Sequence, residues 1–169
     1  SEFDLADRWD SRPIVAITGT DGKTTVTTMV TAMLLASGIR SMACGNTETP
    51  LVEAISDPAI EVFVVEASSF RLATTRWFRP SVAVWLNFAP DHLDAHASLS
   101  SYESAKASIW KDLNAVSGVA IASATDPVVL ANRNPEVSTL TFGGAGTNAD
   151  ATVSDGWLCL PDRTQLIAV

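Results

Sequence analysis

Short apolar runs alternate along the chain with Gly- or Ser-rich breaks and helix-like stretches. Ile14-Val15-Ala16-Ile17 reads as a compact strand that stops at Thr18-Gly19-Thr20-Asp21-Gly22. Residues 23–37 are rich in Thr, Met and Leu, and Gly38 after them is a helix stop. A second strand is expected over residues 41–44, broken by Gly45-Asn46, with a short helix over residues 50–55 that has Pro at its first turn. Val62-Phe63-Val64-Val65, ending at Glu66, and residues 82–86, ending at Asn87, are near-continuously apolar. Such runs fit strands covered on both faces of a parallel sheet. Residues 100–113 look helical with Ser100 or Ser101 as cap, residues 119–122 form a fifth strand, and residues 126–132 a short helix.

Beyond Glu136 the pattern changes to short strand pieces at residues 138–142, 151–154, 157–160 and 166–169. Gly143-Gly144, Asp155-Gly156 and Pro161-Asp162 separate them, which predicts a small antiparallel add-on at the C-terminal end. The expected fold class is therefore α/β: a mostly parallel sheet of the P-loop type, flanked by helices, with that add-on. Residues 1–12 read as an entry linker and 13–169 as one domain. Gly19-Thr20, Asn46, Glu66 and Asn87 all fall where strands end, and open α/β sheets bind ligands at the carboxyl ends of their strands.

Composition narrows the classes. At 169 residues the chain fits one domain or a piece of a larger protein. Its 47% apolar and 18% charged content excludes a disordered acidic tail. With 11 Lys+Arg against 19 Asp+Glu the formal charge is -8, so a generic nucleic-acid surface is excluded; a phosphate ligand would need a local pocket. Cys44 and Cys159 lack metal-ligand spacing and read as reduced core thiols, with a disulfide as the alternative. No basic patch precedes an apolar stretch, and no apolar run nears the roughly 18–20 residues of a spanning helix. A cytoplasmic monomer with no membrane insertion is the expectation.

Gly19-Thr20-Asp21-Gly22-Lys23-Thr24-Thr25 follows a strand and opens a helix, the context a phosphate-binding loop needs. Glycines let backbone N–H groups close on a phosphate, the helix N-terminus adds positive potential, Lys23 is a mobile point charge, and the Thr24 hydroxyl suits Mg²⁺. The common pattern G-x-x-x-x-G-K-[ST] would put its first Gly where Ile17 stands. A glycine turn that merely caps a helix is the plainer alternative.

Glu66 follows four apolar residues, a costly place for a carboxylate unless a cation meets it. It could hold nucleotide-bound Mg²⁺, or be an exposed strand-end residue, or cap the Ser68-Ser69 turn. Both histidines lie in Asp91-His92-Leu93-Asp94-Ala95-His96, either as metal ligands or as incidental members of an acidic loop. Of three lysines, Lys106 stands four residues after Tyr102, the only tyrosine, so the two share a helix face. Tyr-x-x-x-Lys also marks short-chain dehydrogenases, but those need a dinucleotide turn where this chain carries Gly22-Lys23-Thr24.

Together these residues resemble the central, ATP-binding domain of the Mur ligases, over nearly the whole chain. The strongest pieces are Thr18 through Thr25, Gly45-Asn46 with Thr49-Pro50, Glu66-Ala67-Ser68-Ser69-Phe70-Arg71-Leu72, Asn87 through His92 with Asp94, and Tyr102 through Lys106. The Glu-x-Ser-Ser-Phe segment resembles the D-glutamate-adding branch; folylpolyglutamate synthases are more distant. The resemblance implies ATP and two Mg²⁺ ions as cofactors, and UDP-N-acetylmuramoyl-L-alanine and D-glutamate as small-molecule substrates joined through an acyl phosphate in peptidoglycan precursor synthesis. Gly19, Thr20, Asp21, Gly22, Lys23, Thr24 and Thr25 would bind ATP. Asn46, Thr47, Ser68 and His92 would contact substrate. Thr24, Glu66, His92 and Lys106, the last as a CO₂-derived carbamate, would hold metal, with Lys23, His92 and Lys106 catalytic.

Three positions depart from the family pattern: Asp21 for a usual Asn, Glu48 for a Gly and Arg71 for a Gln. The two acids add negative charge near the expected phosphates, and Arg71 is expected to offset part of it. The alternatives left open are a nucleotide-binding module or regulatory homologue without turnover, and a Mur ligase adding another amino acid. The resemblance further implies that UDP-sugar and C-terminal domains are absent from this chain, which by itself would not ligate anything.

Overall fold

The computed structural model describes residues 1–91, 95–113, 117–160, 162 and 164–168. The chain runs α1 (Glu2–Trp9), β1 (Ile14–Thr18), α2 (Lys23–Ala36), β2 (Ser41–Gly45), α3 (Leu51–Ala54), β3 (Val62–Glu66), α4 (Ser69–Leu72) and β4 (Val82–Trp85). It continues through α5 (Leu99–Ala107), β5 (Val119–Ser123), α6 (Pro127–Ala131), β6 (Ser138–Phe142), β7 (Thr152–Ser154), β8 (Trp157–Cys159) and β9 (Gln165–Ala168). The first six strands form one parallel sheet in the order β2-β3-β1-β4-β5-β6; the last three form an antiparallel sheet.

The alternation of side chains along each strand sorts the core onto the two sheet faces. Phe63 and Val65 of β3 pack with Ala16, Ala83 and Trp85 on one face, while Val64 joins Ile17 and Val84 on the other. Val26, Val30 and Leu34 of α2 close over that second group. Each fully buried Val, Ile or Phe contributes roughly 1.5–3 kcal/mol over an exposed one, so strands apolar on both faces commit the sheet to a central layer. Both cysteines are free and buried, and burial, with Glu2 adding to it, pushes the Cys44 thiol up to about 12. Among the described residues no helix is long and apolar enough to cross a membrane.

Several elements differ from the sequence expectation. Ser138–Phe142 is not part of the antiparallel add-on. It pairs in parallel with β5, from Val119↔Ser138 to Ser123↔Phe142, as the sheet's last strand. A run with little apolar content reads alike in either setting, and only its partner decides. α5 starts a residue earlier than expected because Ser98 caps it: Ser98 Oγ accepts from Ser101 N at 3.1 Å while Ser98 N donates to Ser101 Oγ at 3.0 Å.

Residues 1–12, expected as a linker, carry α1. Phe3 and Ala6 are buried, and Phe3 stacks on Phe78 with ring centroids 4.9 Å apart. Asp4 Oδ1 accepts from the backbone N–H groups of Arg76 and Trp77, both at 2.9 Å, and ties α1 to the chain after α4. If α1 is a packed part of the domain, Phe3→Ala lowers stability by about 3 kcal/mol, the low end for emptying a buried aromatic site. Urea denaturation followed by fluorescence checks this; an unchanged midpoint would return these residues to a dispensable linker.

Candidate active site

β1 ends at Thr18 and α2 begins at Lys23, so only four residues turn the chain from strand to helix. Gly22 makes the turn with φ +80°, a left-handed conformation that a side chain would strain. The loop is pinned from outside by Asn87, just past β4. Asn87 Oδ1 accepts from Thr20 N at 2.9 Å and Asp21 N at 3.0 Å, and its Nδ2 donates to Asp21 O at 3.1 Å. Thr20 Oγ1 completes the seam, accepting from Ala89 N at 3.0 Å and lying 3.2 Å from the Tyr102 hydroxyl.

Two lysines converge on the loop's first carbonyl. Lys23 Nζ donates to Gly19 O at 3.0 Å and Thr20 O at 2.8 Å, and Lys106 Nζ donates to Gly19 O at 2.6 Å. Lys106 is 1% exposed, which removes the reading of an ordinary surface lysine, and its ammonium lies 4.6 Å from the centre of the Tyr102 ring. Burial, and then the neighbouring Lys23 charge, lower its pKa to about 7, against the opposing pull of Asp91 and Asp21.

Across the cavity stands Glu66, at 4% exposure neither a solvent-facing strand end nor a cap. The cap at α4 is Ser68, whose Oγ accepts from Arg71 N at 3.4 Å. Glu66 Oε1 accepts from Asn46 Nδ2 at 3.3 Å, whereas the buried Oε2 has no hydrogen-bond partner among the described residues. Gly45, at φ +98°, brings β2 so close that an added Cβ would lie 2.6 Å from Glu66 O, and Asn46 N then donates to that oxygen at 2.8 Å.

Thr20, Asp21, Gly22, Lys23, Thr24, Thr25, Asn46, Glu66, Ser68 and Lys106 thus line one cavity of about 440 Å³. Gly19 is buried at its edge, where a Cβ would come within 3.3 Å of Asn87 Oδ1. Thr47 is not among the lining residues, and its hydroxyl is within 3.4 Å of both the N and the O of Thr49 in its own turn. His92 and Asp94 lie outside the described residues. Arg71 does not offset charge at the loop: its guanidinium pairs with Glu2 on α1 at 2.9 Å. Sequence reasoning put Asn87 on the ligand-binding edge and Tyr102 on the helix face of Lys106, but gave neither a role in the site. Ser69 and Phe70, which it used only for the resemblance, line the cavity, and His96, read with His92 as a metal ligand or an incidental loop residue, has its Nε2 2.9 Å from Ser69 Oγ. A larger depression of about 680 Å³ lies against the antiparallel sheet, but among the described residues no lysine or arginine lines it.

The residues present fit Mg²⁺. An orphaned buried carboxylate oxygen is costly without a cation, and Glu66 lines the same cavity as Thr24. Among the described residues no three His, Cys, Asp or Glu side chains gather into a ready-made metal cage. Mg²⁺ needs none, since it keeps several waters and takes one or two carboxylates with substrate phosphates.

Comparison with known proteins shows the family and the fold. The UDP-N-acetylmuramoylalanine--D-glutamate ligase of Desulfotalea psychrophila is 41% identical over 147 residues, covering 86% of this chain and 32% of that protein. The enzyme of the same name from Frankia casuarinae is 48% identical over 112 residues, 65% of this chain and 24% of that protein. The crystal structure of the MurF ligase from Thermotoga maritima in complex with ADP superposes with a TM-score of 0.72 at 23% identity, over 95% of this chain and 41% of that one, a likeness of fold. The chain spans about a third or less of the length of these curated relatives. The Mur ligase middle domain matches residues 17–157, most of the sheet and all of the cavity lining, and the chain belongs to that family.

Proposed function

We propose that this chain is the nucleotide-binding core of an ATP-dependent ligase that joins D-glutamate to UDP-N-acetylmuramoyl-L-alanine in peptidoglycan precursor synthesis. The observation that carries the reading is one cavity holding a phosphate loop, Lys23, Lys106 and a buried carboxylate with an unpartnered oxygen. The substrates come from the name of the relatives, 41% and 48% identical to this chain. The UDP-sugar and the closing over ATP would fall to other domains of the full-length protein, so this domain alone would bind nucleotide without turnover.

In the proposed reaction the substrate carboxylate takes the γ-phosphoryl group of ATP, giving an acyl phosphate and ADP. The amine of D-glutamate then attacks the activated carbonyl, an amide bond forms, and phosphate leaves with the electron pair of the C–O bond. Several anions must meet in a protein that is itself negative, so catalysis is alignment and charge neutralisation. Lys23 steadies the transferring phosphoryl group, and the N-terminus of α2 receives the phosphates. Thr24 and Glu66 would hold one Mg²⁺, and His92 with a carbamylated Lys106 a second; Mg²⁺ neutralises phosphate charge and screens the approaching carboxylate. Asn46 orients substrate while it holds Glu66 Oε1.

Lys106 suits carbamylation because CO₂ reacts with the neutral amine, and a pKa of about 7 supplies that form near neutrality. The reaction forms an N–C bond and releases one proton. The carbamate nitrogen keeps one N–H, enough for Gly19 O.

Ligation is tested on the full-length protein. Phosphate release should require both UDP-N-acetylmuramoyl-L-alanine and D-glutamate, and Lys23→Ala should lower it about 10²–10³-fold, the usual cost of losing one transition-state charge contact. Nucleotide binding with no turnover would instead establish a non-catalytic module. A second expectation concerns Lys106. With ¹³C-labelled CO₂, a carbamate resonance should grow as pH rises through about 7 and vanish in Lys106→Met. In the CO₂-free protein the unfolded lysine binds more protons than the folded one between that value and its ordinary 10.5, so Lys106 makes wild-type stability rise with pH from about 7 to 9.0, above which the raised Cys44 thiol opposes the gain. Lys106→Met should abolish the rise; an equal slope in both proteins would refute the shifted lysine.

A further inference from the structure

The phosphate loop is held by a side chain from another strand, and this divides its N–H groups into two sets. Asn87 Oδ1 takes the N–H groups of Thr20 and Asp21, at 2.9 and 3.0 Å, and Asn87 Nδ2 returns a hydrogen bond to Asp21 O at 3.1 Å. Two N–H donors on one atom and a carbonyl acceptor on the other fix which end of the amide is oxygen. The backbone that carries the carboxamide is itself braced, and Thr20 N also reaches Asn87 O at 3.2 Å. Trp85 Nε1 donates to Asn87 O at 3.0 Å, and Phe88 N donates to Asp126 Oδ2 at 2.6 Å. Gly19 leaves it room, since a Cβ there would meet Asn87 Oδ1 at 3.3 Å and Leu86 Cβ at 3.1 Å.

The second set lies at the start of α2. Val26 N is the first to find a helical acceptor, Gly22 O at 2.9 Å. The N–H groups of Gly22, Lys23, Thr24 and Thr25 precede it, as the unsatisfied donors of a helix start. All four residues line the cavity that also contains the unpartnered Glu66 Oε2. No side chain caps this end, and no acidic residue sits in its first turn.

We propose that Asn87 is a positioning residue that occupies the Thr20 and Asp21 N–H groups permanently, so that the nucleotide phosphate is received by the N–H groups of residues 22–25 alone. The proposal rests on the nucleotide-binding reading above and specifies which half of the loop carries it. Glycine at 22 and no side-chain cap leave the receiving half open, while the threonine and aspartate before it are spent on holding shape.

Amide hydrogen exchange followed by NMR on this chain tests the division. Thr20 and Asp21 amides should exchange slowly in the free protein and change little when a non-hydrolysable ATP analogue is added with Mg²⁺. Residues 22–25 should exchange fast when free and slow on addition. Asn87→Leu, of nearly the same volume, should speed Asp21 exchange most, and Thr20 exchange less because its N–H also reaches the backbone Asn87 O at 3.2 Å, and should weaken the analogue about tenfold, with β-sheet amides still protected. Asn87→Asp keeps the acceptor for both N–H groups and should keep their protection. Fast exchange of Thr20 and Asp21 in the free wild-type chain, or their slowing only on nucleotide addition, overturns the proposal; this arm stands even if Asn87→Leu fails to fold. Slow exchange of both amides with no response of any loop amide to nucleotide would support the Asn87 clamp and overturn the nucleotide reading on which the phosphate assignment rests.

Discussion

β1 pairs in parallel with β3 on one side and β4 on the other, and this double pairing sets the geometry of the site. The register places Ile17 beside Glu66 and Thr18 beside Trp85, so the phosphate loop, the buried carboxylate and Asn87 all leave the sheet at one edge within a few residues. The direction of winding also reverses around β1, because the chain goes first to β2 at the border, returns inward to β3, and then crosses β1 to β4, β5 and β6 on the other side. Loops at such a point diverge and leave a crevice, which here is the cavity. A one-residue slip of β1 would turn Ile17 to the wrong face and carry the loop out of reach of Asn87.

The electrostatics follow from that placement. An anionic chain gathers two of its three lysines on one backbone carbonyl, and the nearness of the second charge helps to make Lys106 a weak base. Lys23 is held only by neutral carbonyls. A phosphate oxygen brings a full negative charge that a carbonyl lacks, so Lys23 is available to an anion in a way that a lysine in an ion pair would not be. Glu66 complements this arrangement across the cavity, with one oxygen satisfied by Asn46 and the other open.

Much of this was legible in the sequence because the informative signals were local. Continuous apolar runs marked the strands, and Gly22-Lys23-Thr24 after such a run marked the loop. What stayed hidden depended on distant partners. α1 buries only Phe3, Asp4 and Ala6 and leaves Leu5 and Trp9 exposed, so its apolar face is too narrow to stand out. β6 shows its direction only against β5. Arg71 sits in a family-like segment, yet a residue far upstream, Glu2, decides what its charge does. Asn87 was visible as a polar residue after an apolar strand, but its work is done on backbone groups, which leave no trace in the identities of the residues they belong to.

The Cys44 thiol sits fully buried near the end of β2, the strand that borders the sheet, and burial keeps it protonated far above neutrality. Only the thiolate attacks an alkylating reagent, so the intact protein offers that reagent almost nothing. Labelling at this sulfur then proceeds at the pace of strand detachment, which makes Cys44 a built-in stopwatch for how often the margin of the domain breathes.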